Sequence, residues 1–194
     1  MTLKVDTILN SSGNVAMVNG YPRRPGQLIE YLTGMCDGGA VTVASGTYTL
    51  ANVTALQATT TTYTDIIGST ITYMPPLGTN KVIYKFNFSS YWVQAHAIND
   101  YKFFIDGIEV LYARHNRSGQ YIESRHEFEW MIPIGGTTST NTGRQAIWSS
   151  PKTLKMQVRH YGGSNYANLF GTTYWDGASS NQFNLPHISI IALA

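Results

Sequence analysis

The residues with the most chemical potential lie in one short tract. Glu123, Glu127 and Glu129 alternate with Arg125 along one face of ESRHEFEW. On a β-strand, side chains two apart stand roughly 7 Å from one another, a separation at which two carboxyl groups can divide acid and base duties across a glycosidic bond. The same residues also suit an outward ion-pair ladder, with Lys155 and Arg159 as cross-strand partners if the two strands are neighbours. Opposite charges facing across strands are an ordinary sheet device, so the ladder is the expected use. The histidines are His96, His115, His126, His160 and His187, and two of them, His126 and His160, fall on the apolar faces of alternating segments. A metal or proton-switch pair would need those segments to adjoin; a hydrogen-bonded core histidine is the plainer expectation. Asp65, Asp100, Asp106 and Asp176 occupy turn-like positions, where aspartate bonds its own backbone.

No nucleophile elbow, zinc-protease helix, phosphate loop or dinucleotide fingerprint occurs. The lone Cys36 has no partner for an intrachain disulfide. No catalytic, cofactor-binding or metal-ligating residue is therefore nominated, and no enzyme is expected. Trp92, Tyr161, Tyr166, Tyr174 and Trp175 stand beside Gly, Ser and Asn. Rigid aromatic faces with adaptable polar neighbours suit carbohydrate or protein contacts, and they serve equally at sandwich corners or a subunit seam.

The elements that must position these residues are strands. Thr, Tyr, Val, Ile and Phe recur from Leu28 onward in short runs broken by Gly, Asn, Asp and Pro, which indicates an all-β sandwich or barrel of about eight to ten strands. Lys81–Trp92 alternates with Val82, Tyr84, Phe86 and Phe88 on one face, Gln120–Ile134 with Ile122, His126, Phe128, Trp130 and Ile132, and Thr153–Tyr161 with Leu154, Met156, Val158 and His160. Asp106-Gly107 between apolar runs is the strongest short-range hairpin signal. The last segment, Pro186–Ala194, is apolar on both faces, so it is either a central strand or one covered by another subunit. No helix of three turns is convincing.

Residues 1–26 read as an extended arm closed by the Pro/Gly linker GYPRRPG, and 27–194 as the sandwich domain. The net charge of +2 comes without any basic run longer than Arg23-Arg24, which argues against a nucleic-acid partner. The opening segment lacks the pattern of a signal peptide and no window is long and apolar enough for a membrane span, so synthesis in a cytoplasm is expected.

The segments PGQLIEYLTGMCDGG, KVIYKFNF, HAINDYKFFIDGIEV, FEWMIPIGG, SPKTLKMQVRHYG and TTYWDGASSNQFNLPHISI, spread over residues 25–194, resemble virion structural proteins of tailed bacteriophages, above all marine cyanophages. LKVDTILNSSGN is similar to the short arm that begins many such proteins. The resemblance implies an antiparallel jelly-roll-like β-sandwich that assembles as a homotrimer in the manner of C1q and tumour-necrosis-factor domains. It implies a virion location, as a short tail fibre or knob meeting a host-surface glycan or protein, or alternatively as a capsid decoration or head-fibre protein. A surface glycan hydrolase using the Glu123 tract is the rival. Val5, Ile8, Leu9, Val15 and Val18 are then the residues expected to anchor the arm to other virion proteins. Ile188, Ile190, Ile191 and Leu193 become candidates for the trimer interface, and the five aromatics become candidates for the receptor contact. No cofactor is implied.

Overall fold

A computed structural model of the chain describes residues 7–9, 15–18, 21–22, 24–92, 97–119, 123–163, 166–173 and 181–194. Three short strands come first: β1 (Thr7–Leu9), β2 (Val15–Val18) and β3 (Tyr21–Pro22). They form a small antiparallel sheet in the order β1–β2–β3. The N-terminal segment, expected to be extended, thus carries a meander of its own. Ile8 pairs with Met17, Leu9 with Val15 and Val18 with Thr7, while Val5 lies outside the described residues. The linker is fastened to the far end of the chain, since the Gly26 amide donates to Ala194 O at 2.6 Å and the Ala194 amide to Gln27 O at 2.9 Å.

The body of the chain continues with β4 (Leu28–Met35), β5 (Ala40–Val43), β6 (Gly46–Thr49), β7 (Gln57–Ala58), β8 (Thr64–Asp65) and β9 (Ile71–Tyr73). Four long strands carry most of the core: β10 (Lys81–Trp92), β11 (Ala97–Ile105), β14 (Glu123–Pro133) and β15 (Lys152–His160), with β12 (Ile108–Glu109) and β13 (His115–Gly119) between β11 and β14. The chain ends through β16 (Ala167–Leu169), β17 (Gly171–Thr173), β18 (Asn181–Phe183) and β19 (His187–Leu193). Two antiparallel sheets result. In the first, β10 is flanked on one side by β14 and on the other by β19 and β16, with β4 beyond β19 and β7 beyond β16. In the second, β11 lies between β15 and the pair β12 and β13, and β8 and β9 add to the far side of β15. The protein is all-β, and the inward faces of the two sheets share one hydrophobic core, as in a β-sandwich.

The alternation legible in the sequence is what fills that core. Val82, Tyr84, Phe86 and Phe88 from β10 meet Tyr101, Phe103 and Ile105 from β11, and Leu154, Met156 and Val158 from β15, all buried. The Tyr84 ring lies 5.0 Å from Phe103 and 6.0 Å from Phe128, inside the range where aromatic pairs add to the burial of their area. Each such side chain contributes about 1.5–3 kcal/mol through burial alone. The Asp106-Gly107 hairpin forms as its sequence demands: both residues adopt left-handed conformations, φ 49° and 78°, matching the twist of the two strands they join. Asp106 also accepts a bond from the Thr153 amide at 2.8 Å, tying the turn to β15.

Of the two alternatives for the last strand, the central one holds, between β4 and β10, and two expectations are corrected. Ile188 and Ile190 are 1% and 0% exposed within one chain, so the chain's own core consumes them and they have no surface for a trimer partner. Ile191 and Leu193 are half-buried on the opposite face. Of the aspartates assigned to turns, Asp65 and Asp100 belong to β8 and β11, and Asp176 lies outside the described residues.

Candidate functional site

The glutamate tract lies on the outer face of β14, and the register decides its partners. Glu129 stands opposite Lys85, Glu127 opposite Asn87, Arg125 opposite Ser89 and Glu123 opposite Tyr91. Lys85 Nζ reaches Glu129 at 2.5 Å. The expected partners Lys155 and Arg159 are on β15 in the other sheet. Lys155 pairs with Asp65 at 2.9 Å, and Arg159 lies over the Tyr63 ring. Among the described residues a single rung forms in place of the expected ladder, Lys85–Glu129, and β10 supplies its cation. No sequence rule could choose between β10 and β15 as neighbours, because both carry lysine on alternating positions.

The first sheet's outer face is divided along its strands. Toward one end, Tyr31, Ile191, Ile83 and Met131 form a continuous row across β4, β19, β10 and β14. Tyr31 and Met131 are 51% and 49% exposed. The half-buried Leu193 and the exposed Leu28 extend this row by one register step. Toward the other end the surface becomes polar and concave. A groove of about 800 Å³ is lined by Asn87 and Ser89 of β10, Glu123 and Arg125 of β14, and Met35 and His187 of the neighbouring strands, with Asn184 and Leu185 at its border.

Within this groove His187 Nε2 and Thr33 Oγ1 share a hydrogen bond of 2.7 Å, and Thr33 Oγ1 lies 2.9 Å from Ser189 Oγ. Burial, reinforced by Arg125, lowers the His187 pKa, so the imidazole is neutral near pH 7. Asn87 Oδ1 and Ser89 Oγ are buried without a hydrogen-bond partner among the described residues. An unpaired buried acceptor and hydroxyl of this kind are commonly satisfied by an ordered water. Of the three carboxylates, Glu123 borders the groove, while Glu127 and Glu129, the two that stand two apart, border a separate slot at the sheet edge.

The other nominated residues scatter. Trp92 is 5% exposed, and its ring occupies the space where a Gly119 side chain would stand, 1.5 Å from an ideal Cβ. A buried indole offers no receptor surface, so Trp92 is corrected to a packing residue. Tyr161 is 74% exposed and Tyr166 half-buried; Tyr174 and Trp175 lie outside the described residues. Both core histidines are hydrogen-bonded, His126 Nε2 with Ser90 Oγ at 2.5 Å and His160 Nδ1 with Thr59 Oγ1 at 3.3 Å. They belong to different sheets. Among the described residues no group of three or more His, Cys, Asp or Glu is placed to hold a metal, and no helix is long and apolar enough to cross a membrane.

Sequence reasoning missed Asn87, Ser89 and His187 as groove residues. The signal was present as polar outward positions on two strongly apolar strands, but it gains meaning only when β10, β14 and β19 are known to adjoin. It also missed Glu30, which is 5% exposed and accepts bonds from the Ser45 amide at 2.7 Å, Ser45 Oγ at 2.6 Å and Tyr73 OH at 2.7 Å. A buried carboxylate with three donors clamps β4 to the β5–β6 turn and to β9. No protein-family model matches the chain, and no curated protein is significantly similar to it.

Proposed function

We propose that the chain is a non-enzymatic structural protein of a tailed-phage virion. In this reading it is a jelly-roll-like domain that assembles as a homotrimer, joins other virion proteins through its N-terminal segment, and presents a surface to a glycan or protein of the host. The observation that carries the proposal is the division of the first sheet's outer face. An apolar row four strands wide suits burial against further copies, because large contiguous apolar surface on a folded chain marks an interaction site. The polar groove on the same face suits recognition. Repetition in a trimer would multiply weak contacts through effective concentration. Ile191 and Leu193, not Ile188 and Ile190, belong to the proposed seam.

The test is antibody labelling of intact particles of the encoding phage, with light scattering on the isolated protein. Label on tail appendages and three times the 21.5 kDa chain mass are expected, and Met131→Glu should dissociate the assembly while preserving the strand spectrum. Label over the head would reassign the protein to capsid decoration. Absence from particles would overturn the virion reading.

A further inference from the structure

The edge strands β13 and β14 stand on the same side of the sandwich, and between them opens a slot of about 260 Å³, apart from the groove described above. Its volume is below that of a drug-sized pocket, which leaves room for one ring. The floor is aromatic, formed by Phe88, Phe128 and the imidazole of His126.

The His126 ring is held in place. It stacks on Phe88 at 4.6 Å with an interplanar angle of 5°, and is 3% exposed. Among the described residues the Ser90 hydroxyl has no partner besides His126 Nε2, so its one hydrogen is satisfied only if Ser90 donates. Nε2 is then the acceptor and Nδ1 carries the proton. That Nδ1–H is buried and has no partner among the described residues, a condition that costs about 1–3 kcal/mol unless something accepts the bond.

The wall is contributed by β13. The His115 ring lies against Tyr101 at 4.9 Å and Phe128 at 5.5 Å, and its Nδ1–H donates to Ala113 O at 3.3 Å, leaving Nε2 as an acceptor. Arg117 shares the face of His115 and lines the same slot. Its charge acts on His115, His126 and Tyr101 together, yet its guanidinium has no ion-pair partner among the described residues. Of the other local charges, Arg114 is paired with Glu109 and Glu129 with Lys85, while Glu127, which also lines the slot, has no ion-pair partner among the described residues. At the rim stand Trp130, whose indole N–H is held by Thr142 O at 3.0 Å, and Tyr112, which is 66% exposed.

We infer that this slot binds a carboxylated sugar, with Arg117 taking the carboxylate, His115 Nε2 accepting from a ring hydroxyl, and Tyr112 and Trp130 covering an apolar face of the ring. A free guanidinium recognises a carboxylate as a planar fork, and exposed aromatic rings at a polar site serve the alternating apolar and hydroxylated faces of a saccharide. A simple inorganic anion would leave the aromatic rim and the His115 acceptor unused. This assignment rests on the host-contact reading and gives that contact a chemistry: an acidic surface polysaccharide.

The 194-residue chain, labelled for histidine-ring NMR, is titrated with methyl glucuronoside, methyl glucoside, acetate and inorganic phosphate. The expected result is saturable shifts of the His115 and His126 ring signals with the glucuronoside, and binding at least about tenfold weaker for the other three. Arg117→Gln should weaken glucuronoside binding at least about tenfold, with no change in thermal midpoint because Arg117 is exposed; Tyr112→Ala should weaken it less. Equal binding of the glucoside would overturn the carboxylate's role, and equal binding of acetate or phosphate would overturn the sugar. Glucuronoside binding unchanged in Arg117→Gln would overturn the slot as its site. Each of these failures leaves the virion reading intact, since particle labelling decides that separately.

Discussion

The middle of the sandwich core and its end near β13 and β14 are built on different terms. In the middle, Tyr84, Phe86, Phe103, Leu154 and Met156 are fully buried, and the one phenol among them, Tyr84 OH, donates to Ser69 O at 2.6 Å. At the end, Asn99 is fully buried with both amide atoms unpaired among the described residues, and Tyr101 OH, Trp92 Nε1 and His126 Nδ1 are likewise without partners there. Each such orphan costs about 1–3 kcal/mol, whereas each apolar neighbour in the middle contributes a comparable amount in the other direction. One region holds the fold together, and the other gives up stability where two sheet edges open onto a slot. The comparison teaches where to look for function: at the end whose polar groups await water or a ligand.

The largest expected effect lies in the middle. Phe103→Ala removes a ring packed against Tyr84 and Phe128, and should lower the unfolding free energy by about 3–5 kcal/mol in chemical denaturation. A loss below about 1 kcal/mol would break the comparison, because the aromatic centre would not be the source of stability. A smaller effect should appear at the polar end as pH falls. Burial, with Arg117 and His115 nearby, pushes the His126 pKa from its ordinary 6.5 down to about 3. The unfolded chain therefore takes up this proton below pH 6.5 while the native chain does not until about pH 3. Stability from this residue is complete above pH 6.5 and is lost as pH falls toward 3, by at most about 1.4 kcal/mol per pH unit. His126→Phe, which preserves the stack on Phe88, should flatten the stability profile between about pH 6.5 and 4 by one proton's worth. The remaining slope belongs in part to His115 and His187, whose pKa values burial also lowers. An unchanged profile would show that His126 is not shielded.

The smallest effect has the opposite sign. Asn99→Leu replaces two unpaired polar atoms by an apolar side chain of similar size and should be neutral or raise stability by about 1 kcal/mol in thermal unfolding. A marked loss would sharpen the contrast differently, by showing that Asn99 is paired through buried water in solution.

Much of the architecture is legible in the amino-acid order alone. The alternation of Lys81–Trp92 and Thr153–Tyr161 marks the inward residues, and Asp106-Gly107 marks its hairpin, because a period of two and a left-handed turn are local properties of the chain. The Thr-rich tract from Thr47 to Thr72 is harder. It forms only strands of two to four residues, β6 to β9, since it has few large apolar side chains with which to hold longer ones. The glutamate face is legible as a face but not as a site. Glu129 finds Lys85 and Glu123 joins a groove with His187 through pairings between residues far apart in sequence, and nothing local distinguishes one alternating strand from another as neighbour. Trp92 misleads for the same reason: an aromatic beside polar residues resembles a contact until Gly119 is brought beneath it.

By itself, then, the sequence determined the all-β class, the inward face of each long strand and the tight turn between β11 and β12, because these follow from steric and solvation rules acting over a few residues. Only the tertiary structure decided that β19 is central, that Ile188 and Ile190 belong to the chain's own core, and that Arg117, His115 and His126 meet across two sheet edges. Those outcomes depend on strand order, and strand order is set by the joint burial of many distant apolar faces at once.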